Sequence, residues 1–382
     1  MKNNRTFLEK LLDGSEVKWI PLGDVADYEQ PTKYLVNSTV YNDNYPTPVL
    51  TAGKTFILGY TNEDEGIYFA SKSPVIIFDD FTTANKWVDF DFKAKSSAMK
   101  MITSKNEKFA LLKYIYYWLN TLPNNQTDGD HKRQWISNYA NKLIPIPPLS
   151  VQTEIVKILD ALTTLTSELT SELILRQKQY EYYREKLLNI DEMNKVTELG
   201  DVGPVRMCKR ILKNQTANSG DIPFYKIGTF GKKPDAYISN ELFQEYKQKY
   251  SYPKKGDILI SASGTIGRTV IFDGENSYFQ DSNIVWIDND ETLVLNKYLY
   301  HFYKIAKWGI AEGGTIQRLY NDNLKKVKIS IPPLKEQHRI VSILDKFETL
   351  TNSITEGLPL AIEQSQKRYE YYRELLLNFH NP

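Results

Sequence analysis

Cysteine is almost absent from this 382-residue chain: Cys208 stands alone, which excludes an internal disulfide and any cysteine-based zinc site. Long apolar runs are absent too. No stretch approaches the ~18 consecutive apolar residues that a membrane span needs, and Met1 to Leu12 scatters charges where a signal peptide would carry an apolar core. A cytoplasmic protein with no membrane partner is the expectation. The four histidines, His131, His301, His338 and His380, lie far apart, none with a second His or Cys at metal-ligand spacing. Each reads as a surface or nucleic-acid-facing residue rather than a ligand. Catalytic motifs are missing as well. Gly264-Thr265-Ile266-Gly267-Arg268 lacks the Gly-Lys-Ser/Thr ending with which a phosphate loop cradles its nucleotide and holds magnesium. No Asn/Asp-Pro-Pro-aromatic motif for chemistry on a flipped base occurs, and Asp79-Asp80 lacks the further carboxylates of a nuclease metal site. These absences agree with a non-catalytic role and with no metal or cofactor held by the chain itself.

What is present has a globular composition, with 41% hydrophobic and 25% charged residues over a length that suits two or three domains. The net charge of +1 names no partner, because a basic face can be balanced by acids elsewhere. Tyrosine is the unusual component, at 26 copies, many of them close to Lys or Arg. Recognition surfaces and β-rich cores both use it.

The order of residues says more than their numbers. Ile146-Pro147-Pro148-Leu149 recurs 185 positions later as Ile331-Pro332-Pro333-Leu334, and Gln152 recurs as Gln337. At the same offset, Ile155-Val156-x-Ile158-Leu159-Asp160 returns as Ile340-Val341-x-Ile343-Leu344-Asp345. Tyr180-Glu181-Tyr182-Tyr183-Arg184-Glu185 returns as Tyr369 to Glu374 at an offset of 189, so the second copy has gained four residues in between. Weaker echoes link Leu22-Gly23-Asp24-Val25 with Leu199-Gly200-Asp201-Val202, Pro48 and Gly53 with Pro223 and Gly228, and Gly129 and Arg133 with Gly314 and Arg318. Glu9-Lys10-Leu11-Leu12 copies Glu185-Lys186-Leu187-Leu188, so the chain begins with a fragment of the motif on which each repeat ends. A pseudo-twofold circular repeat would show this, with its first and last segments adjacent.

Two kinds of segment alternate. From Trp19 to Ile144 and from Thr197 to Ile329, short β-rich runs such as Val75-Ile76-Ile77-Phe78 and Asp257-Ile258-Leu259-Ile260 are broken by Gly, Asn, Asp and Pro. A helical run, Phe109 to Leu119, sits among them. These segments predict two α+β globular domains. Between Leu149 and Asp191 there is neither Gly nor Pro. Alternate steps of four and three trace a coiled-coil seam through Ile155, Leu159, Leu162, Thr166, Leu169, Leu173, Arg176, Tyr180, Tyr183, Leu187 and Ile190. The second copy runs from Ile340 through Leu344, Phe347, Thr351 and Ile354 to Leu358, then resumes at Ile362, Ser365, Tyr369, Tyr372, Leu376 and Phe379. The stutter between them coincides with Gly357-Leu358-Pro359, where a helix should kink or break. Two seams in one chain most simply pair with each other, antiparallel; pairing with another chain is the alternative. The expected divisions are a first globular domain over 1–145, a first helix over 146–192, a second domain over 193–330 and a second helix over 331–382.

These residues resemble the specificity subunits of type I restriction–modification systems. The likeness rests on Ile-Pro-Pro-Leu-x-x-Gln, a long helix and a Tyr-Glu-Tyr-Tyr-Arg ending, all present twice. Leu-Gly-Asp-Val at the start of each domain and Glu356-Gly357-Leu358-Pro359 add to it. It covers essentially the whole chain; the first helix departs from it in lacking the Gly-Leu-Pro element. The resemblance implies two target-recognition domains joined by two long antiparallel helices in a coiled coil. Each domain would read one half of an asymmetric, bipartite site in double-stranded DNA, and the helices would dock two modification subunits. Those partners would use S-adenosylmethionine to methylate adenine, and two restriction subunits driven by ATP and magnesium would cut unmodified DNA. A coiled-coil scaffold whose two domains bind protein or carbohydrate is the alternative; it would lack salt-dependent DNA affinity.

Reading DNA takes polar side chains that reach base edges and basic groups that hold phosphates. Three loops of the first domain qualify. One carries Thr51 and Lys54, a second Thr82, Thr83, Asn85 and Lys86, and a third His131, Lys132 and Arg133. Their counterparts carry Lys226 and Thr229, then Ser261, Ser263, Thr265 and Arg268, then Thr315, Gln317 and Arg318. A tight turn explains any one such loop. Equivalent loops bearing different side chains are what two reading heads for different half-sites require. Arg133 and Arg318 occupy equivalent positions and suit a phosphate or guanine contact, or else an internal salt bridge that holds the loop.

The first helix also contains a tandem, Thr166-Ser167-Glu168-Leu169 followed by Thr170-Ser171-Glu172-Leu173. Four helical residues advance about 6 Å and rotate about 40° beyond a full turn. One base pair rises about 3.4 Å and rotates about 34°. The number of tetrapeptides is therefore expected to help set the unread spacer between half-sites; simple helix filler is the alternative.

Overall fold

Each Ile-Pro-Pro-Leu marks the point where a strand gives way to a helix. Proline cannot donate to a ladder, and it is tolerated where a helix begins because the N–H it lacks would be unpaired there anyway. The computed structural model describes residues 6–53, 55–123, 133–189, 195–309 and 317–379.

The first domain has strands β1 (Lys18–Pro21), β2 (Ala26–Glu29), β3 (Thr47–Leu50), β4 (Ile57–Thr61), β5 (Val75–Asp79), β6 (Asn85–Val88), β7 (Lys93–Ala94), β8 (Met99–Ser104) and β9 (Leu143–Ile146). Its helices are α1 (Phe7–Leu12), α2 (Leu22–Val25), α3 (Leu112–Leu119) and α4 (Gln134–Ser137). The long helix α5 (Leu149–Leu188) follows, 40 residues without a break. The second domain has β10 (Lys195–Glu198), β11 (Val205–Arg206), β12 (Ile222–Tyr225), β13 (Tyr237–Ile238), β14 (Ile258–Ser261), β15 (Thr269–Ile271), β16 (Tyr278–Phe279), β17 (Ile284–Ile287) and β18 (Lys328–Ile331). Its helices are α6 (Leu199–Val202), α7 (Asn240–Lys249), α8 (Asn296–Tyr303) and α9 (Asn321–Lys325), and α10 (Leu334–Asn352) and α11 (Leu358–Leu377) close the chain.

The repeat in the sequence is a repeat of topology. A four-stranded sheet in the order β2-β8-β5-β6 matches β11-β17-β14-β15, a three-stranded sheet β4-β3-β7 matches β13-β12-β16, and the pair β1-β9 matches β10-β18. In each three-stranded sheet one pairing is parallel, β3 with β7 and β12 with β16. Pro48 and Pro223 are both the second residue of their strands. Helix α7, between β13 and β14, has no counterpart among the described residues of the first domain.

All five residues of β5 are buried, because the strand is covered on both faces. Alternation divides it between two cores: Ile76 and Phe78 pack with α3, while Val75 and Ile77 pack with Leu50 and Phe92. In β14, Ile258 and Ile260 face α8 while Leu259 faces Phe224 and Phe243. Leu-Gly-Asp-Val is explained by the same packing. Leu22 and Leu199 are fully buried, and a Cβ on Gly200 would lie 3.0 Å from the Lys325 Cβ, so only glycine lets α6 approach α9. Cys208 is buried, and burial pushes its thiol up to about 12, which keeps it inert.

Gln152 and Gln337 join helix to domain. The Gln152 amide donates to the carbonyls of Phe109 and Pro147, both at 2.9 Å, and its oxygen accepts from the Leu111 N–H at 2.9 Å. Gln337 repeats the set with Leu293 (2.9 Å), Pro332 (2.8 Å) and Leu295 (2.9 Å). This corrects one boundary. The helix expected from Phe109 begins at Leu112, because Phe109 and Leu111 give their backbone groups to Gln152 instead.

Asp160 and Asp345 make a second tie. Tyr117 donates to Asp160 with Lys113 nearby, and His301 Nε2 lies 2.8 Å from Asp345 with Lys297 at 3.4 Å. His301 is wholly buried, not the surface residue expected. Next to it Glu348 accepts from the Tyr300 hydroxyl (2.7 Å) and pairs with the Lys304 ammonium (2.5 Å). The ammonium already neutralises the carboxylate that a cation bound by His301, Asp345 and Glu348 would need.

The chain forms two compact units, Met1–Thr170 with Ala361–Pro382, and Ser171–Leu360. In the first, Ile155 and Leu159 of α5 share a core with Leu376, Leu377 and Phe379, and the hydroxyls of Thr166 and Ser365 are 2.8 Å apart. In the second, Tyr180 and Leu188 share a core with Ile340 and Leu344, and Tyr180 and Tyr183 stack on Phe347 with ring centres 6.1 and 5.7 Å away. The seam drifts where expected of a 3.6-residue helix: Tyr183 keeps 41% exposure and Leu188, next to Leu187, is buried. Ile354 departs from the seam altogether, at 77% exposure. It lies between α10 and α11, where Gly357 has φ +84° and a Cβ would sit 2.6 Å from the Thr349 carbonyl oxygen. Within the first unit α1 and α11 are adjacent. Leu8 of α1 is buried in the cluster containing Leu376 and Phe379, and α1 and α11 line a cleft of about 510 Å³.

Gln337→Leu should leave three buried backbone groups unpaired and lower the stability of the second unit by about 2–4 kcal/mol, read from its urea transition; Gln152→Leu should do the same to the first. Burial holds the His301 pKa below its ordinary value, against the opposing pull of Asp345. The unfolded chain therefore takes up this proton first as pH falls below about 6.5. The contribution of neutral, buried His301 is present above that pH and lost as pH falls through the folded value. The thermal transition of the second unit should drop over this window, and His301→Tyr, which installs the residue found at Tyr117, should remove that dependence.

Candidate nucleic-acid interface

Backbone groups at the ends of the central strands decide which loop side chains remain available. In the β3–β4 hairpin the Thr51 hydroxyl donates to the Thr55 carbonyl (2.7 Å) and accepts from the Gly53 N–H (3.2 Å), so it braces the turn. Lys54 lies outside the described residues. At the end of β5 the Asp79 carboxylate accepts from the N–H groups of Phe81 (2.9 Å) and Thr82 (3.1 Å). That turn exposes Thr82 and holds Thr83 at φ 61°, its hydroxyl buried without a hydrogen-bond partner. Asn85 accepts from the Asn120 amide at 3.1 Å, and exposed Lys86 has its ammonium 5.3 Å from the Phe56 ring centre.

The third loop is tied to the second through Asp80. Its backbone carbonyl accepts from the Gln134 N–H (2.8 Å), and its carboxylate from the Trp135 N–H (2.8 Å). The other carboxylate oxygen lies 3.7 Å from the buried Lys100 ammonium, whose pKa is lowered by burial against the pull of Asp80. Arg133, just before this anchor, is exposed. His131 and Lys132 lie outside the described residues.

The second domain builds the same frame from different side chains. Ser261 is buried at the position of Asp79, donating to the Thr265 carbonyl (2.5 Å) and accepting from the Arg268 N–H (2.8 Å). Thr265 is exposed at the tip of that turn. The Arg268 guanidinium donates to the Phe230 carbonyl at 3.1 Å, and buried Ser263 donates to Asn283 at 2.8 Å. Thr229 caps its own loop through the Lys226 N–H at 3.1 Å, and Lys226 pairs with Asp235 at 2.9 Å. Exposed Gln317 accepts the Gly264 N–H through its carbonyl at 3.2 Å, while Thr315 lies outside the described residues. The Leu319 N–H donates to the Ala262 carbonyl at 2.9 Å, the bond that Gln134 makes to Asp80. Arg318 and Arg133 thus each precede the same anchor. Both are exposed, and neither guanidinium is ion-paired to a described residue, which leaves the internal salt bridge without support.

Lys226 and Arg318 meet across a cleft of about 630 Å³, whose walls also carry Arg210, Lys213, Asn218 and Gln280. Asp235 and Asp281 line it too, so cations outnumber acids there. Guanidinium forks and amides are the groups that pair with guanine, adenine and phosphate oxygens. Arg210, Lys213 and Asn218 do not stand out from the sequence alone. Their signal was the basic and amide run Lys209-Arg210, Lys213-Asn214-Gln215 and Asn218, which has no glycine turn at its centre to mark it as a loop.

The family model described as the type I restriction modification DNA specificity domain matches this chain twice, over residues 14–176 and 191–364. A Haemophilus influenzae protein named as a type I restriction enzyme specificity subunit is 70% identical over 99% of this chain and 100% of its own length. The specificity subunit of the Escherichia coli enzyme EcoR124I/EcoR124II is 49% identical over 99% of this chain and 98% of its own length. Among solved structures, the S subunit of an M. genitalium type I restriction–modification system superposes with a TM-score of 0.59 at 14% identity, covering 97% of this chain and 98% of that one. A chain from a structure titled for complex assembly and conformational transition of the type I system gives 0.52 at 18% identity, covering 95% and 98%. At these identities the two structures share the fold.

Arg318→Ala should weaken binding of a cognate duplex by about 1–3 kcal/mol if the arginine reads guanine. If it holds a phosphate instead, the slope of log K against log salt should fall by about 1. Fluorescence anisotropy across a salt series separates the two, and unchanged affinity at every salt would remove Arg318 from the interface.

Proposed function

Because this chain belongs to the family of type I restriction–modification DNA specificity subunits, we propose that its two globular domains each read one half of a bipartite, asymmetric DNA site. The observation that carries this reading is one frame used twice with different equipment. Asp79 and Ser261 stabilise equivalent turns, Arg133 and Arg318 precede equivalent anchors, and the side chains around them differ. A scaffold binding one kind of protein or sugar has no use for that divergence.

The helices take the remaining tasks. An antiparallel coiled coil accounts for the hydroxyl pair Thr166–Ser365 in one unit and the stacking of Tyr180 on Phe347 in the other. It docks two modification subunits, which supply S-adenosylmethionine and the adenine chemistry, and two restriction subunits supply ATP- and magnesium-dependent cutting. This chain contributes selection and no catalytic step, in the cytoplasm where the DNA lies. Among the described residues no helix is long and apolar enough to cross a membrane.

The tandem tetrapeptide is the ruler. The two units divide between Thr170 and Ser171, within the tandem. A third copy of Thr-Ser-Glu-Leu keeps the apolar face nearly in phase and should lengthen the unread spacer by about one base pair. Single-molecule sequencing of N6-methyladenine, in cells expressing the chain with its modification subunit, measures both claims. It should reveal a two-part motif with a fixed spacer, absent without this chain and longer with the insertion. Methylation indifferent to the chain would overturn the reading, and an unchanged spacer would overturn the ruler.

A further inference from the structure

The two domains fix equivalent arginines by different means. In the second, the chain around Arg318 pairs backbone to backbone with the turn after β14, where Ser263 and Arg318 form an antiparallel bridge. Two bonds close it: the Leu319 N–H donates to the Ala262 carbonyl at 2.9 Å and the Gly264 N–H to the Gln317 carbonyl at 3.2 Å. The first of these recurs in the first domain, from the Gln134 N–H to the Asp80 carbonyl. The N–H of Thr82, which stands where Gly264 does, donates to the Asp79 carboxylate instead. A side chain supplies the second hold. Asp80 Oδ1 accepts the Trp135 N–H at 2.8 Å, and the Arg133 carbonyl accepts from the Ser137 hydroxyl at 2.6 Å.

That arrangement buries charge. Asp80 is 2% exposed, and Lys100, its counter-ion on β8, is 1% exposed. The Lys100 ammonium lies 3.7 Å from the carboxylate and 4.6 Å from the Tyr28 ring centre, and makes no hydrogen bond to a described residue. Taking an ammonium away from water without such bonds is costly. The fold does not ask for it. The strand registers place Ala262 at the position of Asp80 and Val285 at that of Lys100, and both are buried in a core built on the same frame. Replacing a buried ion pair by packed apolar residues is often neutral for stability, whereas the pair can fix a conformation. A pair kept in one domain, where the other packs alanine and valine, serves something besides folding.

We infer that Asp80 is a positioning residue for Arg133, with Lys100 as its buried counter-ion, and that base selection by the first domain depends on this pair. The inference deepens the proposed reading of one half-site by each domain and rests on it. Trp135 carries the effect. Its ring centre lies 5.3 Å from that of Phe78 and 6.5 Å from that of Tyr28, so the indole is packed where Asp80 holds its backbone. Arg133 lies two residues before it. A guanidinium pairs with a guanine edge through two donors at once, so a small swing of its backbone loses the second bond. Arg318 is held through backbone groups, which side-chain substitution does not remove.

The test uses the full chain in complex with its modification subunit, with fluorescence anisotropy on the cognate duplex and on duplexes carrying one altered base pair. Arg133→Ala identifies the first domain's half-site as the one whose discrimination falls. Asp80→Ala with Lys100→Val, which installs what the second domain has at these positions, should lower discrimination at that half-site by about tenfold, the scale of one guanidinium–base contact. Discrimination at the other half-site should stay at the wild-type level, and the thermal transition should not fall. Added to Arg133→Ala, the same two substitutions should cost nothing further, the non-additivity of residues that act through one another. Asp80→Asn with Lys100→Met removes both charges but keeps an oxygen for the Trp135 N–H, so it should restore discrimination to within about threefold of wild type. Unchanged discrimination in the doubly apolar variant overturns the inference, as does an equal loss at both half-sites. A lowered thermal transition overturns it too, because the pair would then be structural. A wild-type complex that discriminates at neither half-site removes the underlying reading instead.

Discussion

A buried glutamine amide has two donor hydrogens and an acceptor oxygen, and burial makes each of them costly to leave unpaired. Gln152 and Gln337 meet that demand with backbone groups from two places: the proline turn just before their own helix, and the segment that enters the domain helix, α3 or α8. The rest of the structure depends on this tie. It fixes where the domain helix begins, sets the long helix against that domain, and brings Asp160 or Asp345 within reach of the same domain helix. A recognition loop is as well placed as the frame it grows from, and the frame is fixed to the long helix here.

The fold was legible where one residue type had one physical use. Leu-Gly-Asp-Val was legible as a repeated element because it forms the same short helix twice, with a core leucine and a close-approach glycine that have no substitutes there. Gly357 read as a break for the same reason. His301 misled, because an isolated histidine in sequence carries no mark of the carboxylate that meets it 44 positions later. Ile354 misled as well: apolar and in phase, it continued the seam on paper, while α10 had already ended at Asn352, ahead of the left-handed Gly357.

The loops were legible as regions and not as side chains. Ser261 and Thr51 are hydroxyls in polar, glycine-bearing loops, and both brace the backbone of their own turn. From composition they are indistinguishable from exposed Thr265 or Thr82. Which hydroxyl turns inward depends on the local count of unpaired N–H and C=O groups, and that count exists only once the strands are paired. Arg210 and Lys213 were missed for the converse reason: they gain meaning by facing Arg318, more than 100 positions away in sequence.

The first unit is made from both ends of the chain, and this sets an order of events during synthesis. Ser171–Leu360 is one continuous stretch, so everything the second unit contains has been synthesised before the last turns of α11 are made. The first domain leaves the ribosome earliest and is completed last. Until Leu376, Leu377 and Phe379 emerge, Ile155 and Leu159 lack the partners that cover them. A nascent chain thus carries an uncovered apolar strip through most of its translation, the condition under which aggregation competes with folding. A chain without the residues from Ala361 onward would keep every residue of the second unit and leave the core of the first without Leu376, Leu377 and Phe379.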